Sequence, residues 1–307
     1  MAAPRIVSLL PSSTEIVHAL GLARHLVGRS HECDFPPEVA VLPVCTAPHF
    51  DPHGTSAQID TRVKSLVRDG LSVYRVEAER LRELEPDLVL TQSQCEVCAV
   101  SEEDVAAALA DWLGARPRVL SLAPRRLADV LGDVIRVAEA ADAPAAGRRL
   151  VAALETRIEG LATRALRLRA RPRVACLEWM DPPMGSGHWM PELVTLAGGE
   201  PVLGKPGEPA AWTGFEELRA LDPERIVLMP CGFGLERAAA ELAALERLPG
   251  FGELGAVRTG SVFAADGNSF FNRPGPRLVE SLEILAEILH PEEFSFGHAG
   301  RAWRPLL

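Results

Sequence analysis

Two stretches of the chain, 137 positions apart, carry nearly the same residues. Glu79 through Leu90 aligns without a gap on Glu216 through Val227, with Glu79/Glu216, Leu81/Leu218, Arg82/Arg219, Leu84/Leu221 and Pro86/Pro223 identical. Glu85/Asp222, Asp87/Glu224 and Val89/Ile226 keep their chemistry. Each copy predicts a short helix stopped before a proline, then an apolar strand. Proline cannot continue a helix, and it pushes the residue before it towards extended geometry. A unit repeated at this distance predicts two lobes of similar build. It sets one glutamate, Glu79 or Glu216, at the matching point of each lobe, and a ligand held between such lobes is the natural expectation.

The rest of the pattern fits an α/β fold with two Rossmann-like lobes and mainly parallel sheets. In residues 1–123 strands alternate with helices, beginning with Ile6–Leu10 and a helix opened by Ser12 and Glu15 at capping-box spacing. Residues 124–170 read as a helical connector. From about 145 to 170 there is no proline, and Leu150, Leu154, Ile158, Leu161, Ala165 and Leu168 fall on one stripe. That predicts a long backbone helix joining the lobes. A strand pattern restarts at Arg173, so residues 171–307 form the second α/β lobe, closed by a helix over Arg277–Leu289. Ligands of parallel sheets gather at the carboxyl ends of the strands.

With 32 basic and 42 acidic residues and no basic block, the chain is not built for nucleic acid. No apolar run reaches the ~18 residues of a membrane span. An export segment is not legible either, so the residues as written predict a cytoplasmic protein, or an extracytoplasmic one if such a segment has been trimmed. A monomer is expected. The six cysteines read as buried residues, metal ligands or redox thiols rather than a disulfide framework.

The predicted strand ends collect a distinctive set of side chains. Ser12 follows the first strand, and His31-Glu-Cys33 follows the second. In the second lobe Trp179, Met184, Trp189 and Trp212 lie on loops, and the last strand leads into Phe270, Phe271 and Arg273. Aromatic and methionine-rich loops with a few polar groups suit a large, flat, partly apolar ligand. Some of these tryptophans could equally cap the lobe cores.

The segments Pro4–Glu15, Cys33–Pro37, Leu84–Val89, Asp181–Pro183, Ala197–Glu200 and Arg273–Arg277, in this order and spacing, resemble the substrate-binding proteins of ABC importers for cobalamin and iron chelates. The likeness covers nearly the whole chain and is strongest to the cobalamin binders. It implies a two-lobed fold on a backbone helix, no enzymatic activity and no required cofactor. It implies a corrinoid ligand such as cobalamin, with haem or an iron chelate as the rival. Ligand contacts would fall on His31, Met184, Trp212 and Phe270 or Phe271; the family has tyrosine at His31 and tryptophan at Phe270. Glu79 and Glu216 would dock on arginines of the permease.

His31, Cys33, Cys95 and Cys98 follow two strands of one lobe, a Cys₃His set acceptable to zinc. Reduced buried thiols are the plainer reading. His31 or a thiolate could also approach the metal of a corrin or haem. An enzyme of another class, cytosolic and dependent on this Cys/His set, would need an oriented third group that the sequence does not reveal.

Overall fold

The computed structural model describes residues 4–69, 72–93, 102–110 and 117–307. It divides into two compact units. Unit 1 comprises Met1–Gly54, Gln58–Pro124 and Ala128–Ala153; unit 2 comprises Thr55–Ala57, Arg125–Leu127 and Leu154–Leu307.

Unit 1 holds strands β1 (Ile6–Ser8), β2 (Leu26–Arg29), β3 (Thr46–Pro48), β4 (Tyr74–Val76), β5 (Leu88–Gln92) and β6 (Arg118–Leu122). Its helices are α1 (Pro11–Ala19), α2 (Ser56–Arg68), α3 (Ala78–Glu83), α4 (Glu102–Ala108) and α5 (Leu127–Ala140), and α6 (Pro144–Ala165) carries the chain on. Four strands form an all-parallel sheet in the order β2-β1-β5-β6, while β3 and β4 make an antiparallel pair. Strand alternation serves two cores. Ile6, Leu88 and Leu90 face α1 and α5, whereas Val7 and Val89 face Tyr74, Leu81 and Val105.

Unit 2 holds β7 (Arg173–Met180), β8 (Pro183–Gly185), β9 (Glu200–Pro201), β10 (Arg225–Leu228), β11 (Val262–Ala265) and β12 (Trp303–Pro305). Its helices are α7 (Met190–Leu196), α8 (Phe215–Leu221), α9 (Leu235–Ala240), α10 (Leu242–Glu246), α11 (Gly255–Arg258) and α12 (Leu278–Leu289). The sheet runs β12-β11-β10-β7-β8, with β9 also on β7. The β11-β10-β7 centre is parallel and both ends are antiparallel. Two-lobed α/β architecture with mainly parallel sheets is therefore the fold.

The repeat acquires a mechanism here. Each copy is a short helix, α3 or α8, whose buried leucine, Leu81 or Leu218, anchors it under the sheet. Each helix is followed by a residue with left-handed backbone, Glu85 at φ 41° or Asp222 at φ 37°, which turns the chain into the proline. The acid after the proline then grips the neighbouring strand. Asp87 Oδ2 accepts from the Arg5 N–H at 2.8 Å, and Glu224 Oε2 accepts from the Arg173 N–H at 2.8 Å. Both arginines reach back to the turn, Arg5 to the Leu84 carbonyl at 2.8 Å and Arg173 to the Asp222 carbonyl at 3.2 Å.

Several expectations change. The capping box does not form: Leu10 is the N-cap of α1 without a side-chain bond, and Pro11 fills the first turn, where a missing N–H costs nothing. The backbone helix stops at Ala165, five residues before 170, giving roughly 33 Å at 1.5 Å per residue. It buries Leu154, Ile158, Leu161 and Ala165, as the stripe predicts. Residues 235–246 form two short helices with buried Glu241 at their junction. After α12 the chain returns as β12, antiparallel to β11, an addition with no strand-like run to announce it. Among the described residues no helix is long and apolar enough to cross a membrane.

Candidate functional site

In unit 1 the carboxyl ends of β1 and β2 carry a knot of small polar groups. Ser8 Oγ lies 2.6 Å from Ser13 Oγ and 2.7 Å from Thr14 Oγ1, and Thr14 Oγ1 lies 3.0 Å from Cys33 Sγ. Ser12, Ser13, Thr14 and Cys33 are all buried. Cys33 is thus a packed thiol inside the knot.

His31 follows β2 on a loop tied down by Arg29. The Arg29 guanidinium donates to the carbonyls of Ser30 at 3.0 Å, Cys33 at 3.1 Å and Ala40 at 3.1 Å. The His31 ring is half-buried, 5.4 Å from the Tyr74 ring, and Nδ1 lies 2.7 Å from Thr46 Oγ1. Burial, with the Arg29 charge adding to it, pulls its pKa down to about 4, so the imidazole is neutral at physiological pH. The sequence pointed to His31 but not to Arg29 or Thr46. Thr46 lies 15 positions away, and the pairing of Arg29 with Val44, with the Cys45 N–H donating to the Arg29 carbonyl at 2.8 Å, brings it in.

Among the described residues no group of three histidines, cysteines or acids could hold a metal ion. Cys95 and Cys98 lie outside the described residues. Cys45, close by in the sequence, is wholly buried and its thiol is pushed up to about 11, chiefly by burial.

In unit 2 the expected residues separate into presenters and supports. Trp212 is 54% exposed. It bridges Met184, which pairs with Trp179 in the β7–β8 ladder. The Trp179 ring meets Phe233 edge-on at 5.5 Å, and the Arg237 guanidinium covers the Phe233 ring at 3.6 Å. The Trp179 indole N–H is buried with no partner among the described residues. Phe270 is partly exposed, with Arg277 5.2 Å above its ring. By contrast, Phe271 is fully buried and Trp189 nearly so, its indole N–H donating to the Phe271 carbonyl at 3.2 Å. Arg273 is buried and donates to Asn268 Oδ1 at 3.0 Å. These three hold the loop rather than offer surface.

Glu178 gave no signal in the sequence. It is buried beside Trp179, and its Oε1 accepts from the Gly187 N–H at 3.2 Å. Burial raises its pKa to about 7 against that bond. The bond fixes the loop that carries His188 and Trp189. Only glycine fits at 187, since a Cβ there would stand 2.2 Å from the Ala210 nitrogen.

Glu79 and Glu216 occupy the first turns of α3 and α8 and are exposed. The helix dipole favours an acid there. Glu79 also lines a cavity of about 380 Å³ with Val44, Thr46, Ala47, Glu77, Arg80 and Glu83.

Proteins of known structure share this build. An uncharacterized ABC transporter substrate-binding lipoprotein of Bacillus subtilis (strain 168) is 24% identical over 298 residues, 94% of this chain and 81% of its own. The periplasmic haem-binding protein of Roseiflexus sp. RS-1, in its apo form, superposes with a TM-score of 0.70 at 24% identity, over 94% of this chain and 99% of its own. The periplasmic vitamin B12-binding protein of Vibrio cholerae does so with a TM-score of 0.66 at 22% identity, over 94% and 96%. The family of periplasmic binding proteins matches residues 6–268, most of the chain. With the fold and this match in agreement, the chain belongs to the periplasmic binding protein family.

Proposed function

We propose that this chain is the substrate-binding protein of an ABC importer, and that its ligand is a corrinoid, cobalamin foremost. The observation that carries the reading is the Trp179–Met184–Trp212 row of unit 2. An indole more than half exposed, on a residue paired through the backbone with Met184, which in turn pairs with Trp179, offers an apolar face to a flat macrocycle. Phe270 extends the aromatic set; in unit 1 the half-buried His31 is the candidate contact, while Ser12 is buried in the hydroxyl knot. Trp189, Phe271 and Arg273 act behind these as supports.

The vitamin B12-binding protein of Vibrio cholerae supports the ligand choice. The haem-binding protein of Roseiflexus, together with the neutral imidazole of His31, supports a second reading, haem or another iron chelate. In either case the role is binding and delivery, without turnover. Glu79 and Glu216 dock the protein on its permease. The Bacillus relative is a lipoprotein, which favours work outside the cytoplasm.

Titration of the purified protein with cobalamin and with haemin, followed by tryptophan fluorescence and visible absorption, tests the reading. Submicromolar cobalamin binding that Trp212→Ala weakens at least tenfold is expected. Corrinoid affinity no better than millimolar, with tight haemin binding, replaces it with the second reading.

A further inference from the structure

Phe270 is a partly exposed aromatic side chain on a loop whose backbone is firmly tied. Gly267–Phe271 is a single wide turn of π-helix, and Asp266 Oδ1 closes its start by accepting from the Ser269 N–H at 2.7 Å. The Asn272 side-chain amide donates to the Met229 carbonyl at 3.1 Å and to the Gly267 carbonyl at 3.0 Å. What is left to fix is the rotation of the Phe270 ring about its side-chain bonds. Two buried side chains stand against it. The Arg277 guanidinium lies 5.2 Å from the ring centroid, and the His298 ring meets it edge-on at 6.3 Å.

His298 comes from the tail that follows α12, and two glutamates of that helix hold it in place. Glu283 and Glu287 stand one turn apart on the same face. Oε1 of Glu287 accepts the backbone N–H groups of Phe296, of Gly297 at 2.7 Å and of His298 at 3.3 Å, and its Oε2 accepts the Trp303 indole N–H at 2.7 Å. Oε2 of Glu283 lies 3.0 Å from His298 Nε2, while its Oε1 accepts from Arg157 at 2.7 Å. The tail also reaches the base of the loop, where the Ala302 carbonyl accepts the Asp266 N–H at 2.8 Å. Glu287, His298 and Trp303 are all buried. Charge-assisted hydrogen bonds of this kind are strong, so the tail is clamped onto α12. All of these residues belong to unit 2.

We propose that this tail is a brace for the Phe270 loop, and that His298 is the positioning residue that holds the Phe270 ring ready for a bound tetrapyrrole, corrinoid or haem. This rests on the reading of Phe270 as a ligand contact given above. A ring fixed before binding spares the ligand the cost of ordering it.

The full-length protein with ¹³C-labelled phenylalanine tests the holding without any ligand. Phe270→Leu assigns the Phe270 signal, and its side-chain couplings should report one rotamer in the wild type. His298→Gln retains a donor towards Glu283 and removes the ring, and it should leave Phe270 averaging between rotamers. His298→Phe returns a ring and should restore the single rotamer. Titration with cobalamin, and with haemin in parallel, reads the consequence. His298→Gln should weaken the tetrapyrrole that binds by about threefold to tenfold, and His298→Phe should recover most of that loss. In a Phe270→Ala background His298→Gln should have no further effect, because nothing is left for it to hold. Circular dichroism melting checks that the variants are folded.

A single Phe270 rotamer in His298→Gln overturns the brace while the tetrapyrrole reading stands. So does unchanged affinity in that variant, or an equal weakening with and without Phe270. Failure of both cobalamin and haemin to bind the wild type overturns the tetrapyrrole reading and the use of the brace with it, and the rotamer measurement then decides whether His298 holds Phe270.

Discussion

Buried Glu178 and half-buried His31 are ionisable groups that pull stability in opposite directions with pH. The Glu178 carboxyl is raised to about 7, so the native state keeps a proton that the unfolded chain releases near the ordinary carboxylate range. Its contribution is intact below about 4.5 and is lost as pH rises through 7. His31, lowered to about 4, refuses a proton that the unfolded chain accepts near 6.5, so stability is lost as pH falls from 6.5 to 4. Glu178→Gln keeps an acceptor for the Gly187 N–H without the charge. It should stabilise the protein by about 1–3 kcal/mol at pH 8 and have little effect at pH 5. Urea unfolding at the two pH values measures this, and an equal effect at both would show that Glu178 does not titrate as described. His31→Asn should flatten the acid limb of the same profile between pH 4 and 6.5.

The two copies of the repeat turn their chains with acidic residues in left-handed backbone, where an L side chain costs roughly 1–2 kcal/mol and glycine is the usual solution. Only one copy has a local reason to keep its acid. Asp222 Oδ1 accepts from the Gly255 N–H at 2.7 Å and so opens α11, whereas Glu85 has an exposed side chain. Glu85→Gly should therefore raise stability by about 0.5–1 kcal/mol, and Asp222→Gly should lower it. A thermal melt of each variant reads the sign directly. Leu81 and Leu218, fully buried under their sheets, should each cost about 2–5 kcal/mol when cut to alanine.

For the whole molecule, the proposed delivery role separates ligand binding from docking. Glu79 and Glu216 are exposed on the first turns of matching helices. The double variant Glu79→Ala, Glu216→Ala should bind cobalamin as the wild type does and lose its uptake into cells carrying the permease. Titration and uptake of labelled cobalamin are the two readouts. A variant that still supports full uptake would remove the docking role.

Residue patterns alone determined the two-lobed α/β fold, the matching helix–strand units and the helix of α6. Each depends on short-range rules: strand alternation, the 3.6-residue stripe, and a proline that stops a helix wherever it lies. The same patterns pointed to His31 and to the loop tryptophans but could not rank them. Trp212 and Trp189 look alike in the sequence, yet one is exposed and the other is buried with its indole bonded to Phe271. Burial is set by what packs from distant parts of the chain, and periodicity carries no record of it. For the same reason, the roles of Thr46, Arg29 and Glu178, the return of β12 and the failed Ser12–Glu15 capping box were decided only by tertiary contacts. A side chain's hydrogen-bond partner depends on which strands pair, and β3 with β4 pairs residues far apart in the chain.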